Sequence, residues 1–116
     1  MIVTDFTGNL VTVTAFGEFT IADYREFEEL VNFRIKFEGV INLFIDLRAM
    51  TDFTLDVAIE EMRFAREHSH DFGRIAVLAG SPWMNWAAWL TQVFVDADVT
   101  VFDDEATARA WLAETV

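Results

Sequence analysis

Glu67-His68-Ser69-His70-Asp71 gathers imidazole and carboxylate donors of the kind that ligate divalent cations. Residues at i and i+2 do not face each other on a helix, however, and imidazoles near a helix C-terminus are favoured by its dipole. The segment therefore reads as a solvated helix end, and no metal is assigned. The pairs Asp96/Asp98 and Asp103/Asp104 are the acid–base candidates. Both flank strand or helix ends, where a carboxylate caps backbone amides and adds solubilising charge, so no catalytic residue is assigned. A Gly-rich phosphate loop, a nucleophile elbow and an HExxH pair are all missing from the sequence. No cofactor is expected and the chain reads as a non-enzyme.

Hydroxyls at turns are the next group that could do chemistry. In an open α/β sheet the productive location is the carboxyl end of the parallel strands, where helix N-termini favour an anion. That edge is expected to carry Arg48, Thr51, Asp52 and Thr54 after one strand, Gly80, Ser81 and Pro82 after the next, and Asp103 and Asp104 after the last. Thr51, Thr54 and Ser81 are the ligand-binding or phosphoacceptor candidates, although the abundant carboxylates oppose an anion.

The elements that must position these groups follow from periodicity. Val11, Val13 and Ala15 alternate with Thr12 and Thr14, the pattern of a half-buried strand, and Ile2 to Phe6 pairs with it through Thr7-Gly8-Asn9 as an antiparallel hairpin. A strand–helix rhythm follows, with strands at 40–47, 74–79 and 99–102. The last two are nearly continuous apolar runs, as expected of central parallel strands. Start signals place helices at 21–37 after Thr20 with Asp23 in a capping box, 55–70 after Thr54, 82–96 after Ser81 with Pro82 at the first position, and 104–114 after Asp103. The expectation is a single α/β domain over residues 1–116: a mixed sheet of about five strands with four flanking helices.

Three of the four tryptophans fall in Ser81-Pro82-Trp83-Met84-Asn85-Trp86-Ala87-Ala88-Trp89-Leu90. At helical spacing Trp83 and Trp86 share the core face with Leu90, Val93 and Phe94. Each ring buries roughly 150–250 Å², worth about 4–6 kcal/mol as an upper figure at about 25 cal/mol per Å². Trp89 sits at the margin of that face. On the preceding helix Leu55, Ala58, Ile59, Met62 and Ala65 form the core stripe, which leaves Val57 and Phe64 on the opposite face. Val57, Phe64 and Trp89 are the partner-binding candidates, with local packing as the alternative. On the first helix Tyr24, Phe27, Leu30, Val31, Phe33, Ile35 and Phe37 cannot all point one way. Phe33 and Phe37 spill off the core face, to be covered by the hairpin or by a subunit neighbour.

Bulk composition narrows the function classes. Eight Lys and Arg against 20 Asp and Glu give a net charge of −12 over 116 residues, which repels phosphate backbones and makes nucleic acid an unlikely partner class. No cysteine is present, so disulfides and thiolate chemistry are excluded. Residues 74–95 are apolar over nearly the length of a membrane span, but Gly80-Ser81-Pro82 breaks them in two, and membrane insertion is not expected. The first ten residues lack the basic and long apolar regions of a signal peptide, so a bacterial cytoplasmic setting is expected.

Three stretches, from Gly17 to Val31, from Ile41 to Leu90 and from Val99 to Glu114, together resemble the SpoIIAA-like family of small bacterial proteins, related to STAS domains. The most specific phrases are Phe72-Gly73-Arg74-Ile75-Ala76-Val77 leading to Trp83, and Val101-Phe102-Asp103 followed by Ala108 and Trp111-Leu112. The resemblance implies a mixed sheet flanked by helices and a non-catalytic regulatory or protein-interaction role. It also implies a phosphorylated hydroxyl in an Asp-Ser-Ser/Thr-Gly-like turn before the second helix. Here that turn reads Thr51-Asp52-Phe53-Thr54-Leu55, with hydroxyls at Thr51 and Thr54 but no Ser-Gly pair. Self-association as a homodimer is the expected mode. A small apolar or lipid-like ligand, suggested by fold-level likeness to CRAL-TRIO domains, is the alternative.

Overall fold

In the computed structural model, which describes residues 1–53, 63, 71–80 and 98–114, the alternating and apolar segments join into one five-stranded sheet. The strands are β1 (Ile2–Thr7), β2 (Leu10–Phe19), β3 (Ile41–Phe53), β4 (Phe72–Leu78) and β5 (Asp98–Phe102), side by side in chain order. β1 runs antiparallel to β2 across the Gly8-Asn9 turn, with Thr7 opposite Leu10 and Ile2 opposite Ala15. The pairs β2–β3, β3–β4 and β4–β5 are all parallel. The mixed sheet is thus the expected one.

Two helices lie among the described residues, α1 (Ile21–Glu38) and α2 (Glu105–Ala113). Apart from Arg63, which is helical and exposed, the helices expected over 55–70 and 82–96 lie outside the described residues, so the four-helix expectation is met there by two. Most boundaries fall within two residues of the sequence reading, and two differences bear on the site. β3 continues to Phe53 instead of stopping at Leu47, because β2 runs on through two irregularities, at Thr14/Phe16 and at Gly17/Glu18, and offers partners as far as Phe19 opposite Phe53. Arg48, Thr51 and Asp52 are therefore strand residues, not turn residues. The cap of α2 is Asp104, not Asp103: its extended backbone lets the side chain accept from the Thr107 amide at 2.8 Å, within the first turn.

Alternation divides the sheet into two apolar faces. On one, Val11, Val13, Ala15, Leu43, Leu47, Ile75 and Val77 pack with Tyr24, Phe27 and Val31 of α1. On the other, Phe44, Ala76 and Leu78 pack with Ala108 and Leu112 of α2. β4 is buried on both faces, which explains its unbroken apolar run Ile75-Ala76-Val77-Leu78.

Helix α1 is fixed at both ends. Thr20 accepts from the Asp23 amide, and the Asp23 carboxylate accepts from the Thr20 amide, closing the expected capping box. Burial pushes the Asp23 carboxyl up, but the N-terminal ammonium at 2.8 Å and the Thr20 donors outweigh it and hold it below its ordinary value. At the other end Gly39 takes a φ of 78°, which side chains rarely tolerate, and its N–H donates to Ile35 O at 2.8 Å.

Candidate functional site

The polar groups expected just past Leu47 were to be open, but β3 runs on to Phe53, and its middle holds a linked ion-pair network. Asp46 and Arg48 are two residues apart on one strand, so both project from the α2 face. The Arg48 guanidinium forks onto Asp46, Nε to Oδ1 at 3.1 Å and a terminal nitrogen to Oδ2 at 2.9 Å. The same terminal nitrogen reaches Glu105 Oε1 at 2.9 Å. Glu105 Oε2 in turn accepts from Arg109 Nε at 3.0 Å, and the Arg109 guanidinium lies 4.7 Å over the Phe44 ring. Strand and helix are stitched together across 57 residues of chain.

These carboxylates are held ionised. Burial raises the pKa of Asp46, which is 8% exposed, but hydrogen bonds from the Arg48 side chain and amide, and the guanidinium charge, bring it below its ordinary 3.8. The Thr107 hydroxyl and amide lower Asp104, and the Arg109 hydrogen bond lowers Glu105. Carboxyls of this kind cannot carry a proton to a substrate at neutral pH, which a general acid must do. Their arrangement serves cohesion.

A pH dependence follows. The folded pKa of Asp46 lies below its unfolded value, so the native state binds fewer protons. The stability contributed is fully present above the ordinary carboxylate range and is lost as pH falls through the lowered value. Urea midpoints are expected to hold down to about pH 4 and drop below it, with Asp46→Asn flattening part of the acid limb. An unchanged acid limb in the variant would show that the pair contributes nothing.

Of the hydroxyl candidates, Thr51 is exposed on β3, whereas Thr54 and Ser81 lie outside the described residues. So do Val57, Phe64 and Trp89, as well as Glu67, His68, His70, Pro82 and Asp96. Asp52 is exposed and Gly80 half-buried. Asp71 contributes its backbone carbonyl to Ile41 N at 3.1 Å, and Asp98 lies 3.6 Å from Arg74.

The amino ends of β3 and β4 hold features that the sequence reading missed. Asn42, 8% exposed at the start of β3, accepts from Arg74 N at 2.8 Å. A Cβ on neighbouring Gly73 would fall 2.5 Å from that same Asn42 oxygen. The Arg74 guanidinium lies 4.7 Å over Trp111 and donates to its carbonyl at 2.6 Å. Phe72-Gly73-Arg74 and Trp111-Leu112, the two most specific phrases of the sequence, thus meet where β4 packs on α2. Asn9, Leu10, Asn42, Arg109, Leu112 and Ala113 line an open cavity of about 250 Å³ beside this contact.

Arg34 was also missed. It is 8% exposed on the buried stripe of α1, donates to Gly8 O at 2.7 Å and Glu38 at 3.0 Å, and lies 4.1 Å over the Phe6 ring. The spacing Tyr24, Phe27, Val31, Arg34 would have placed it there. Outside it, Phe33 and Phe37 form a tilted pair at 5.6 Å and remain 55% and 73% exposed. The hairpin, one of the two covers expected for them, reaches Arg34 through Phe6 and leaves both rings open.

Fold and site together define a small α/β domain built on one antiparallel hairpin and three parallel pairings, with its polar groups engaged in packing and pairing. An uncharacterised protein of the DUF3478 family from Shewanella loihica PV-4, with a SpoIIAA-like fold, superposes with a TM-score of 0.76 at 21% identity, covering 97% of this chain and 92% of that one. The unphosphorylated anti-sigma factor antagonist SpoIIAA gives 0.65 at 15% identity over 100% of both chains. An anti-sigma factor antagonist from Mycobacterium paratuberculosis gives 0.67 at 14% identity, covering 98% and 94%. The chain belongs to the SpoIIAA-like family, whose sequence model matches residues 10–113. No curated protein sequence matches it significantly. Among the described residues no helix is long and apolar enough to cross a membrane.

Proposed function

We propose that this protein is a non-catalytic regulatory domain that acts in the cytoplasm by binding protein surfaces, a second copy of itself included. The observation that supports this reading best is the end-to-end likeness of its fold to two anti-sigma factor antagonists. The ion pairs of the Asp46–Arg48–Glu105 network agree with it, since they hold β3 to α2. Val57, Phe64 and Trp89 are the proposed contacts with the second copy, and Thr51, Thr54 and Ser81 the proposed hydroxyls for a ligand or phosphoryl group. Light scattering should give a dimer for the native chain and a monomer for Phe64→Ser/Trp89→Ser, with unchanged circular dichroism. A native chain that stays monomeric at high concentration would rule out self-association.

The cavity beside Asn42 favours one second reading, a small amphipathic ligand. At about 250 Å³ it falls below the range of roughly 300–1,000 Å³ usual for drug-sized ligands, so a long-chain lipid does not fit within it. Native mass spectrometry that finds no small molecule retained by freshly purified protein would eliminate this reading.

A further inference from the structure

The exposed stripe of α1 joins acid to aromatic. Glu26, Glu29, Phe33 and Phe37 follow at intervals of three or four residues, the spacing of one helix face, and all four are exposed. Phe33 and Phe37 touch each other, and the Arg34 guanidinium lies 6.0 Å from the Phe37 ring and 4.1 Å from the Phe6 ring. Phe6 is itself 47% exposed. Three aromatic rings from two elements thus form one surface, with a buried cation inside it already held by Gly8 and Glu38. Scattered exposed apolar residues need no explanation, but a contiguous aromatic patch marks an interaction surface.

Charge decides what covers it. Glu26 and Glu29 stand N-terminal to the rings, and the exposed cations of α1, Arg25 and Lys36, are outnumbered by its five carboxylates, on a chain of net charge −12. A second copy would bring the same charge and the same acidic stripe against itself. A basic partner gains on both counts. Strand addition is disfavoured at this corner, because the Phe6 amide on edge strand β1 is already taken by the Asp5 carboxylate at 2.8 Å. We infer that the Glu26–Phe37 stripe of α1, with Phe6, is a docking surface for a basic amphipathic helix of a partner protein, its apolar residues on Phe33 and Phe37 and its cations on Glu26 and Glu29. This surface is separate from Val57, Phe64 and Trp89, so the two proposals stand or fall apart.

The test uses the full chain and a fluorescent peptide of leucine and lysine at amphipathic helical spacing, with a leucine–glutamate peptide as control. The expected result is binding of the lysine peptide only, weakened by salt, with amide shifts concentrated at residues 5–9 and 26–40. Phe33→Ser/Phe37→Ser, whose side chains are already exposed, should keep the native melting curve and bind about tenfold more weakly, which corresponds to about 1.4 kcal/mol. Glu26→Lys/Glu29→Lys, which keeps the rings, should also weaken binding. Equal affinity of the serine variant and the native chain would overturn the proposal by reducing the interaction to net charge. A native dimer that the serine variant dissolves, with Phe64→Ser/Trp89→Ser still dimeric, would overturn it in favour of a second copy.

Discussion

Phe44→Ala is expected to destabilise the domain by about 3–5 kcal/mol, the range for truncating a buried aromatic residue. Phe44 is 1% exposed and is the largest member of the buried cluster beneath α2, whose other members are Ala76, Leu78, Ala108 and Leu112. Alanine at two of these positions leaves little side chain to move into the space, so the cavity would persist. The loss also reaches the surface: Arg109 rests on the Phe44 ring and positions Glu105, which holds Arg48. Urea denaturation should show the midpoint falling steeply. Chemical shifts should change along residues 105–113 and little along α1, which packs on the other face. A loss under about 1 kcal/mol would mean that α2 is not seated as described.

Gly73→Ala should cost about 1–3 kcal/mol, the penalty for leaving a buried polar group unsatisfied. The new Cβ would meet the Asn42 side-chain oxygen at 2.5 Å, far inside van der Waals contact. Asn42 is the far end of a side chain and can turn away, but it is buried and accepts the Arg74 amide, so turning abandons that donor. The prediction is therefore non-additive. Asn42→Ala alone loses the hydrogen bond, and adding Gly73→Ala to it should cost little more, because the clashing oxygen is gone. A double-mutant cycle of urea midpoints checks this. Additive losses would show that the glycine is required for another reason.

How much of this was legible in the sequence differs by feature. The hairpin and the capping box were readable because both are local: alternation at Val11, Val13 and Ala15 and the Thr20–Asp23 spacing need no distant partner. The surplus of α1 was readable too, since seven apolar residues exceed one helical face, and Phe33 and Phe37 are the exposed ones. The end of β3 was not, because its last residues are strand only by virtue of the irregular continuation of β2. Nor could local spacing decide between Asp103 and Asp104 as cap, since each has an amide three residues ahead.

The ion-pair site on β3 divides in the same way. Asp46 and Arg48 are two apart on a strand, a pairing that could have been found, but Glu105 and Arg109 enter only through the fold. Reading Thr51 as a turn hydroxyl followed from ending the strand at Leu47, and the structure places it on an exposed strand position instead. Asn42 and Gly73 carried no signal alone, because the constraint lies in the distance between two strands.

The most direct test of the central claim, that the domain works through a protein-binding surface that includes a second copy, is hydrogen–deuterium exchange on the native chain at low and at high concentration. The account predicts concentration-dependent protection in peptides spanning Val57 to Phe64 and Trp86 to Gln92, absent in Phe64→Ser/Trp89→Ser. Exchange that is the same at both concentrations throughout the chain would contradict it.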